Sequence, residues 1–226
     1  MNPIQEFYNT YPFPGEYSWK QLMDIAYPPR NRYLAVIDKY LQDGQTVLDV
    51  GCGTGLITNL FASRYRSKFT GIDFSRGLDI AKQFAHVNHL QNVKYIKQDF
   101  DNFCPSDQFD VVIAQSFLTH SHNPLSALAR LQKHTKPGGL LIFSVYNPAG
   151  QFFKKVCNLN YNNDRLALDQ KSNPLDNVLG DNCIRTKFVT WRLKEIMPSV
   201  KNRLVALSAL FNSRNGGLTI YVYENK

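Results

Sequence analysis

Gly51, Gly53 and Gly55 alternate with Cys52 and Thr54 directly after the run Val47-Leu48-Asp49-Val50. A short apolar run ending near an acid, a glycine turn and a helix-compatible segment from Leu56 to Phe61 read as buried strand, tight turn and helix start. That is the first half of a βα unit of the kind that seats nucleotides. Glycine answers two needs there. The turn requires backbone angles that a Cβ forbids, and the backbone must lie close against a ligand.

Spacing separates two readings of the loop. A dinucleotide fingerprint is G-x-G-x-x-G, its third glycine placed for helix–strand packing. Here the pattern is one residue tighter, G-x-G-x-G. A glycine triplet alone is also consistent with a structural turn that binds nothing. Asp49 weighs against that alternative, because a carboxylate at the end of a strand beside a bare glycine loop suits a cationic ligand group.

The chain after the loop alternates. Strands are expected at Thr46–Val50, Lys68–Asp73, Val93–Gln98, Phe109–Gln115 and Leu140–Tyr146. Helices are expected at Leu56–Arg64, Ser75–His86 with Ser75 as cap, and Pro124–His134. Pro137-Gly138-Gly139 ends the last connection. Such alternation implies an α/β fold, a doubly wound, mostly parallel sheet with helices on both faces. Asn31–Gln42 carries apolar residues at Leu34, Ile37 and Leu41, a helix ending near Asp43-Gly44. Residues 1–30, rich in Pro, Tyr and Phe, read as an arm over a single domain spanning 31–226. An irregular insertion or lid is expected at about 150–186. Arg203–Phe211 and Leu218–Glu224 look like strands of a terminal antiparallel hairpin.

These residues resemble the class I S-adenosylmethionine-dependent methyltransferases, whose first motif is an acid followed by G-x-G-x-G. Asp49, Gly51, Gly53 and Gly55 match it, with Cys52 a small residue inside the loop. The resemblance implies a Rossmann-like sheet closed by a C-terminal hairpin, with S-adenosylmethionine as cofactor and S-adenosylhomocysteine as product. It implies that Asp49 helps hold the methionine amino group. Asp73, about 20 residues past the loop, stands where a carboxylate takes both ribose hydroxyls. Phe74 would contact the adenine. Asp99 would bond its exocyclic amine, and the Phe100 amide would read a ring nitrogen. Gln115, at the end of the fourth strand, would lie beside the methionine end. Phe109-Asp110-Val111-Val112 matches the family's fourth strand, with Asp110 structural.

Leu118-Thr119-His120, then Asn123-Pro124 and Lys136-Pro137-Gly138-Gly139, resembles the small-molecule, ubiquinone-biosynthesis-like branch, with Thr135 in place of the usual leucine. His120 is then either a base near the acceptor or the anchor of its loop. Tyr8 and Tyr11 are candidate cofactor contacts through cation–π attraction, whereas Phe7 and Phe13 are expected to pack on the domain. The acceptor pocket is expected between the arm and the insertion, with Tyr146, Phe152, Phe153 and Tyr161 as lining.

Composition limits the alternatives. With 226 residues, 43% hydrophobic and 13% aromatic, the chain has enough apolar content for a real core. No secretory signal or membrane span is visible, and the scattered Cys52, Cys104, Cys157 and Cys183 offer no metal-ligand spacing. The expectation is a cytoplasmic enzyme with reduced thiols and no metal. The formal charge of +8 gathers late, at Arg185, Lys187, Arg192, Lys194, Lys201, Arg203 and Arg214. That leaves RNA as an alternative acceptor, although the strand-four motifs of base-modifying enzymes are absent. A non-catalytic S-adenosylmethionine-binding protein is the other alternative. A nicotinamide-dependent dehydrogenase is disfavoured by the loop spacing.

Overall fold

The computed structural model describes residues 3–26, 32–146, 183–188 and 218–225. Seven strands form one sheet: β1 (Thr46–Val50), β2 (Lys68–Asp73), β3 (Val93–Lys97), β4 (Phe109–Gln115), β5 (Thr135–Tyr146), β6 (Cys183–Phe188) and β7 (Leu218–Glu224). Their order is β3-β2-β1-β4-β5-β7-β6. Strands β1 to β5 run parallel, and β7 pairs antiparallel with both β5 and β6. The helices are α1 (Pro3–Thr10), α2 (Trp19–Ala26), α3 (Arg32–Tyr40), α4 (Leu56–Ala62), α5 (Gly77–Val87), α6 (Phe117–His120) and α7 (Pro124–His134).

The alternation of side chains along central strands explains the two cores. Val47, Val111, Ile113 and Ile142 face one way, against Leu34 and Ile37 of α3 and Leu60 and Phe61 of α4. Leu48, Val50, Val112, Ala114 and Phe143 face the other, against Leu118 of α6 and Leu128 and Leu131 of α7. Both faces of β1 and β4 are therefore covered, which is why these strands read as continuous apolar runs. Leu22 of α2 enters the first of these cores and carries the arm with it. The chain runs outward through β1, β2 and β3, then returns to lay β4 on the other side of β1. The carboxyl edge between β1 and β4 is consequently the topological switch point, where open α/β sheets place their ligand crevice.

Three expectations are corrected. β5 begins at Thr135, not Leu140, and runs through Pro137-Gly138-Gly139. The register shifts between Phe109 and Val111 so that Phe109 faces Thr135 and Val111 faces Leu140. A side chain at Gly139 would meet the Asp110 carbonyl at 2.9 Å, so the strand needs a glycine to pass there. Ser75 is not the N-cap of α5. That place falls to Arg76, while the Ser75 hydroxyl accepts the Gly77 amide at 3.2 Å. The outer partner of β7 is Cys183–Phe188, within the stretch read mainly as insertion. The expected strand Arg203–Phe211 lies outside the described residues, as does most of the insertion.

At the amino edge, opposite the crevice, Asp110 fastens three strands. Its Oδ2 accepts the Thr46 amide and hydroxyl, each at 2.7 Å, and its Oδ1 accepts from Lys136 Nζ at 2.7 Å. Partial burial pushes this carboxyl up, but the bonds from Lys136 and Thr46 together hold it below the ordinary range. Asp110→Asn is expected to cost about 1–2 kcal/mol at neutral pH, read as a lower urea midpoint, since the pair is part-exposed. A depressed carboxyl stabilises the fold fully above its unfolded value near pH ~4 and loses that effect as pH falls through the folded value. The gap in midpoint between wild type and variant should therefore close in acid.

Candidate functional site

The five residues of the glycine loop have spent all their amides inside the protein. Gly51 and Cys52 both donate to the Ile72 carbonyl, at 2.9 and 3.2 Å, and Gly55 donates to the Cys52 carbonyl at 2.9 Å. Gly53 donates to Asp73 Oδ2 at 2.9 Å. Thr54 donates to the Phe13 carbonyl of the arm at 3.1 Å. A phosphate-binding loop works by pointing free N–H groups at its anion. This loop has none to point, and what it presents at the carboxyl edge is acid.

Glycine is required here by the protein itself. Gly53 has φ of 56° and Gly55 φ of 76°, where a Cβ is strained. A Cβ on Gly55 would also come within 2.6 Å of both Ala81 of α5 and the Tyr95 hydroxyl of β3. A Cβ on Gly53 would strike the Phe13 carbonyl, and one on Gly51 would approach the Phe117 ring at 2.9 Å. The sequence reading gave these spaces to a ligand. The structure fills them with α5, the arm and α6.

Two acids end neighbouring strands. Asp49 on β1 is buried and accepts the Thr58 hydroxyl of α4 at 2.6 Å. Burial pushes its carboxyl up to about 7, the Thr58 bond opposes the shift, and the nearby Asp73 adds to it. Asp73 on β2 gives one oxygen to the Gly53 amide and the other to the Ser75 amide at 2.8 Å. Among the described residues, no lysine or arginine lies within ion-pair distance of either acid. Cys52 sits between them, and burial together with their charges drives its thiol well up, so it stays neutral.

The other expected residues are gathered around the same edge. Phe74 follows β2, and its carbonyl accepts from Gln5 of α1 at 3.1 Å. Asp99 is exposed and caps the 3-10 turn Phe100–Asn102 through the Asp101 amide at 3.0 Å. Phe100 is buried edge-on against Phe117 at 5.3 Å, and Arg130 of α7 binds its carbonyl at 2.9 Å. Gln115 closes β4. Ser116 follows in the left-handed region at φ 55°, its amide held by Ser144 Oγ at 3.0 Å. His120 ends α6, half-buried, with the Tyr8 ring of the arm edge-on at 6.1 Å. Tyr11 packs on Phe7 at 5.2 Å but is 63% exposed. Phe13 corrects the sequence reading. Its side chain is 69% exposed, and its backbone carbonyl makes the contact with the loop.

Sequence reasoning missed Thr58, Asn59 and Tyr17. Thr58 lies nine residues after Asp49, a spacing that places it on the first turn of the helix behind the strand. Tyr17 and Asn59 carry no local signal, since their meeting depends on how the arm docks. The side chains of Tyr146, Phe152, Phe153, Tyr161 and the late basic cluster lie outside the described residues.

Comparison with known proteins points one way. A family profile described as a methyltransferase domain matches residues 41–197. Ubiquinone biosynthesis O-methyltransferase of Actinobacillus pleuropneumoniae serotype 5b (strain L20) is 34% identical over 111 residues, 46% of this chain and 47% of that protein. The enzyme of that name from Coxiella burnetii (strain RSA 493 / Nine Mile phase I) is 37% identical over 127 residues, 55% of this chain and 53% of its own. The chain thus spans about half the length of the curated relatives it matches. Coclaurine N-methyltransferase, solved with N-methylheliamine and S-adenosylhomocysteine, superposes with a TM-score of 0.62 at 16% identity, over 85% of this chain and 72% of that one. It shares the fold.

The loop geometry makes a direct prediction. Gly53→Ala combines left-handed strain with a collision at the arm, and should cost about 1–3 kcal/mol. Thermal melting reads the loss. Chymotrypsin, which cuts after large apolar residues, should cleave after Tyr17 faster in the variant than in the wild type, because the arm can no longer seat its carbonyl.

Proposed function

The chain belongs to the methyltransferase-domain family, and from that premise we propose that it transfers a methyl group from S-adenosylmethionine to a small-molecule acceptor. The observation that carries the reading is the glycine loop with no amide to offer, flanked by Asp49 and Asp73. A dinucleotide's pyrophosphate would need the donors this loop has already committed. A ligand with an ammonium group, hydroxyls and no phosphate meets the donor set well. Asp49 would hold the amino group, because a buried carboxylate raised to about 7 gains most from a cation. Asp73 would take the ribose hydroxyls on the lone pairs left after its two amide bonds. Phe74, Asp99 and Phe100 would receive the adenine, with Gly51, Cys52, Gly53 and Gly55 beneath and Gln115 beside the reacting end. Tyr8 and Tyr11 would approach it from the arm side.

S-adenosylmethionine, when bound, supplies a methyl group already activated on a sulfonium. The protein's own task is alignment and exclusion of water, and positioning can supply much of the acceleration. The relatives named as O-methyltransferases favour an oxygen acceptor. A hydroxyl must lose its proton as it becomes nucleophilic, and His120, at the crevice end of α6, is the residue proposed to take it. The Tyr8 ring would hold the imidazole in place. Among the described residues no helix is long and apolar enough to cross a membrane, and no cluster suits a metal.

Calorimetry with S-adenosylhomocysteine tests the cofactor site. The folded Asp49 carboxyl titrates at about 7, so affinity should be level above that pH and fall roughly tenfold per unit below it, as a proton competes with the ammonium group. Asp49→Asn should bind weakly with no such slope; a wild-type affinity independent of pH between 5 and 8 would remove Asp49 from the site. Labelled cofactor incubated with a metabolite extract, followed by mass spectrometry, tests turnover. Binding without any labelled product would leave a sensor or subunit role in its place. Once a product is known, His120→Gln should lower kcat by roughly 100-fold or more with unchanged S-adenosylhomocysteine affinity. A fall of only a few-fold would make His120 the anchor of its loop.

A further inference from the structure

The arm grips the glycine loop through the backbone of one residue, Thr54. The Thr54 amide donates to the Phe13 carbonyl at 3.1 Å, and the Thr54 carbonyl accepts the Tyr17 hydroxyl at 3.0 Å. Both polar groups of the residue between Gly53 and Gly55 are thus held by arm residues four apart. Tyr17 is in turn the end of a half-buried chain of donors. The Tyr95 hydroxyl of β3 donates to Asn59 Oδ1 at 2.7 Å, and Asn59 Nδ2 donates to the Tyr17 oxygen at 2.9 Å. The second Nδ2 hydrogen goes to the Ala81 carbonyl of α5 at 3.3 Å. That last bond fixes which way the amide points, because a reversed Asn59 would set two oxygens against each other.

With Asn59 so oriented, the Tyr95 and Tyr17 hydroxyl hydrogens run toward the loop. Burial drives the hydroxyls of Tyr17 and Tyr95 well above their ordinary range, so both remain protonated donors. The Tyr17 ring packs against Phe84 of α5 at 4.6 Å, and Trp19 stacks on the same ring at 6.1 Å. Apolar packing accordingly helps hold the arm on the domain, while the Tyr17 hydroxyl and the Phe13 carbonyl couple it to the loop's backbone.

We propose that Tyr17 is a positioning residue for the cofactor cradle, setting the Gly53–Gly55 backbone from behind through the Thr54 carbonyl, so that arm docking and cofactor binding favour one another. This rests on the reading of the loop as an S-adenosylmethionine site. Linkage requires the effect to be mutual. A docked arm tightens the cofactor, and a bound cofactor tightens the arm. Asn59 and Tyr95 act through Tyr17 by orienting its oxygen.

The test uses the full chain and Tyr17→Phe, which keeps the ring on Phe84 and removes only the hydroxyl. S-adenosylhomocysteine affinity is measured by calorimetry, and hydrogen exchange of residues 4–24 is followed with and without that ligand. The wild type should show slower arm exchange when saturated. The variant should bind roughly tenfold more weakly and show little ligand-dependent protection of the arm, with its ligand-free melting temperature within a few degrees of wild type. A merely structural tyrosine would lower the melting temperature and leave affinity and ligand-dependent protection as they were, and that result overturns the proposal. Should the variant fold poorly, wild-type exchange alone decides, because an arm indifferent to saturating ligand also overturns it. No affinity in the wild type defeats the cofactor reading itself, and is distinguished from the other outcomes by that.

Discussion

The Asp73 carboxylate joins two turns that would otherwise be independent. One oxygen holds the Gly53 amide in the loop after β1, and the other holds the Ser75 amide in the turn after β2. Charge-assisted bonds to amides at a poorly solvated edge are among the stronger polar contacts available. Behind them, a Cβ on Gly77 would come within 2.9 Å of the Gly53 carbonyl carbon, so α5 starts in contact with the loop. The loop after β1 is thereby referenced to the end of β2, to the start of α5 and, through Thr54, to the arm. The contacts proposed for the loop, Asp73 and Phe74 inherit their positions from this arrangement.

Its electrostatic character follows from the same bonds. Apart from the Gly53 amide on Asp73, the loop's amides are spent on carbonyls, and the two acids at neighbouring strand ends repel each other. The protein tolerates this because Thr58 and the two backbone amides take up much of the field. A proton on Asp49, whose carboxyl is pushed up to about 7, or a bound cation relieves the rest. The formal charge of +8 on the chain is no help at this point, since no basic side chain among the described residues pairs with Asp49 or Asp73. The chain's basicity and the site's acidity are separate features.

The central elements were legible because their signals are physically strong. β1, β2, β4 and α7 have the bounds expected from the residues, since central strands are covered on both faces and α7 opens on Asn123-Pro124, a cap followed by proline at the first turn. The start of β5 was illegible, because Pro137-Gly138-Gly139 contradicts strand propensity and is accommodated only by a shifted register beside Asp110. The strand Cys183–Phe188 was missed for a similar reason. Its sequence alternates weakly, and its place is decided by pairing with β7.

Sequence alone determined the central alternation of strands and helices and the acid–glycine–acid pattern, because buried apolar periodicity and glycine spacing are local properties. It also set Asp49 and Asp73 toward the ends of β1 and β2, and Asp99 and His120 in the segments that follow β3 and β4. Tertiary structure decided what those residues touch. The glycine spaces are filled by Phe117, the arm carbonyl, Ala81 and Tyr95, and Asp49 is answered by Thr58. The arm meets the loop through a backbone carbonyl and one tyrosine hydroxyl. Such contacts join segments some 40 residues apart, and nothing in local propensity encodes a pairing that exists only once the two surfaces have closed.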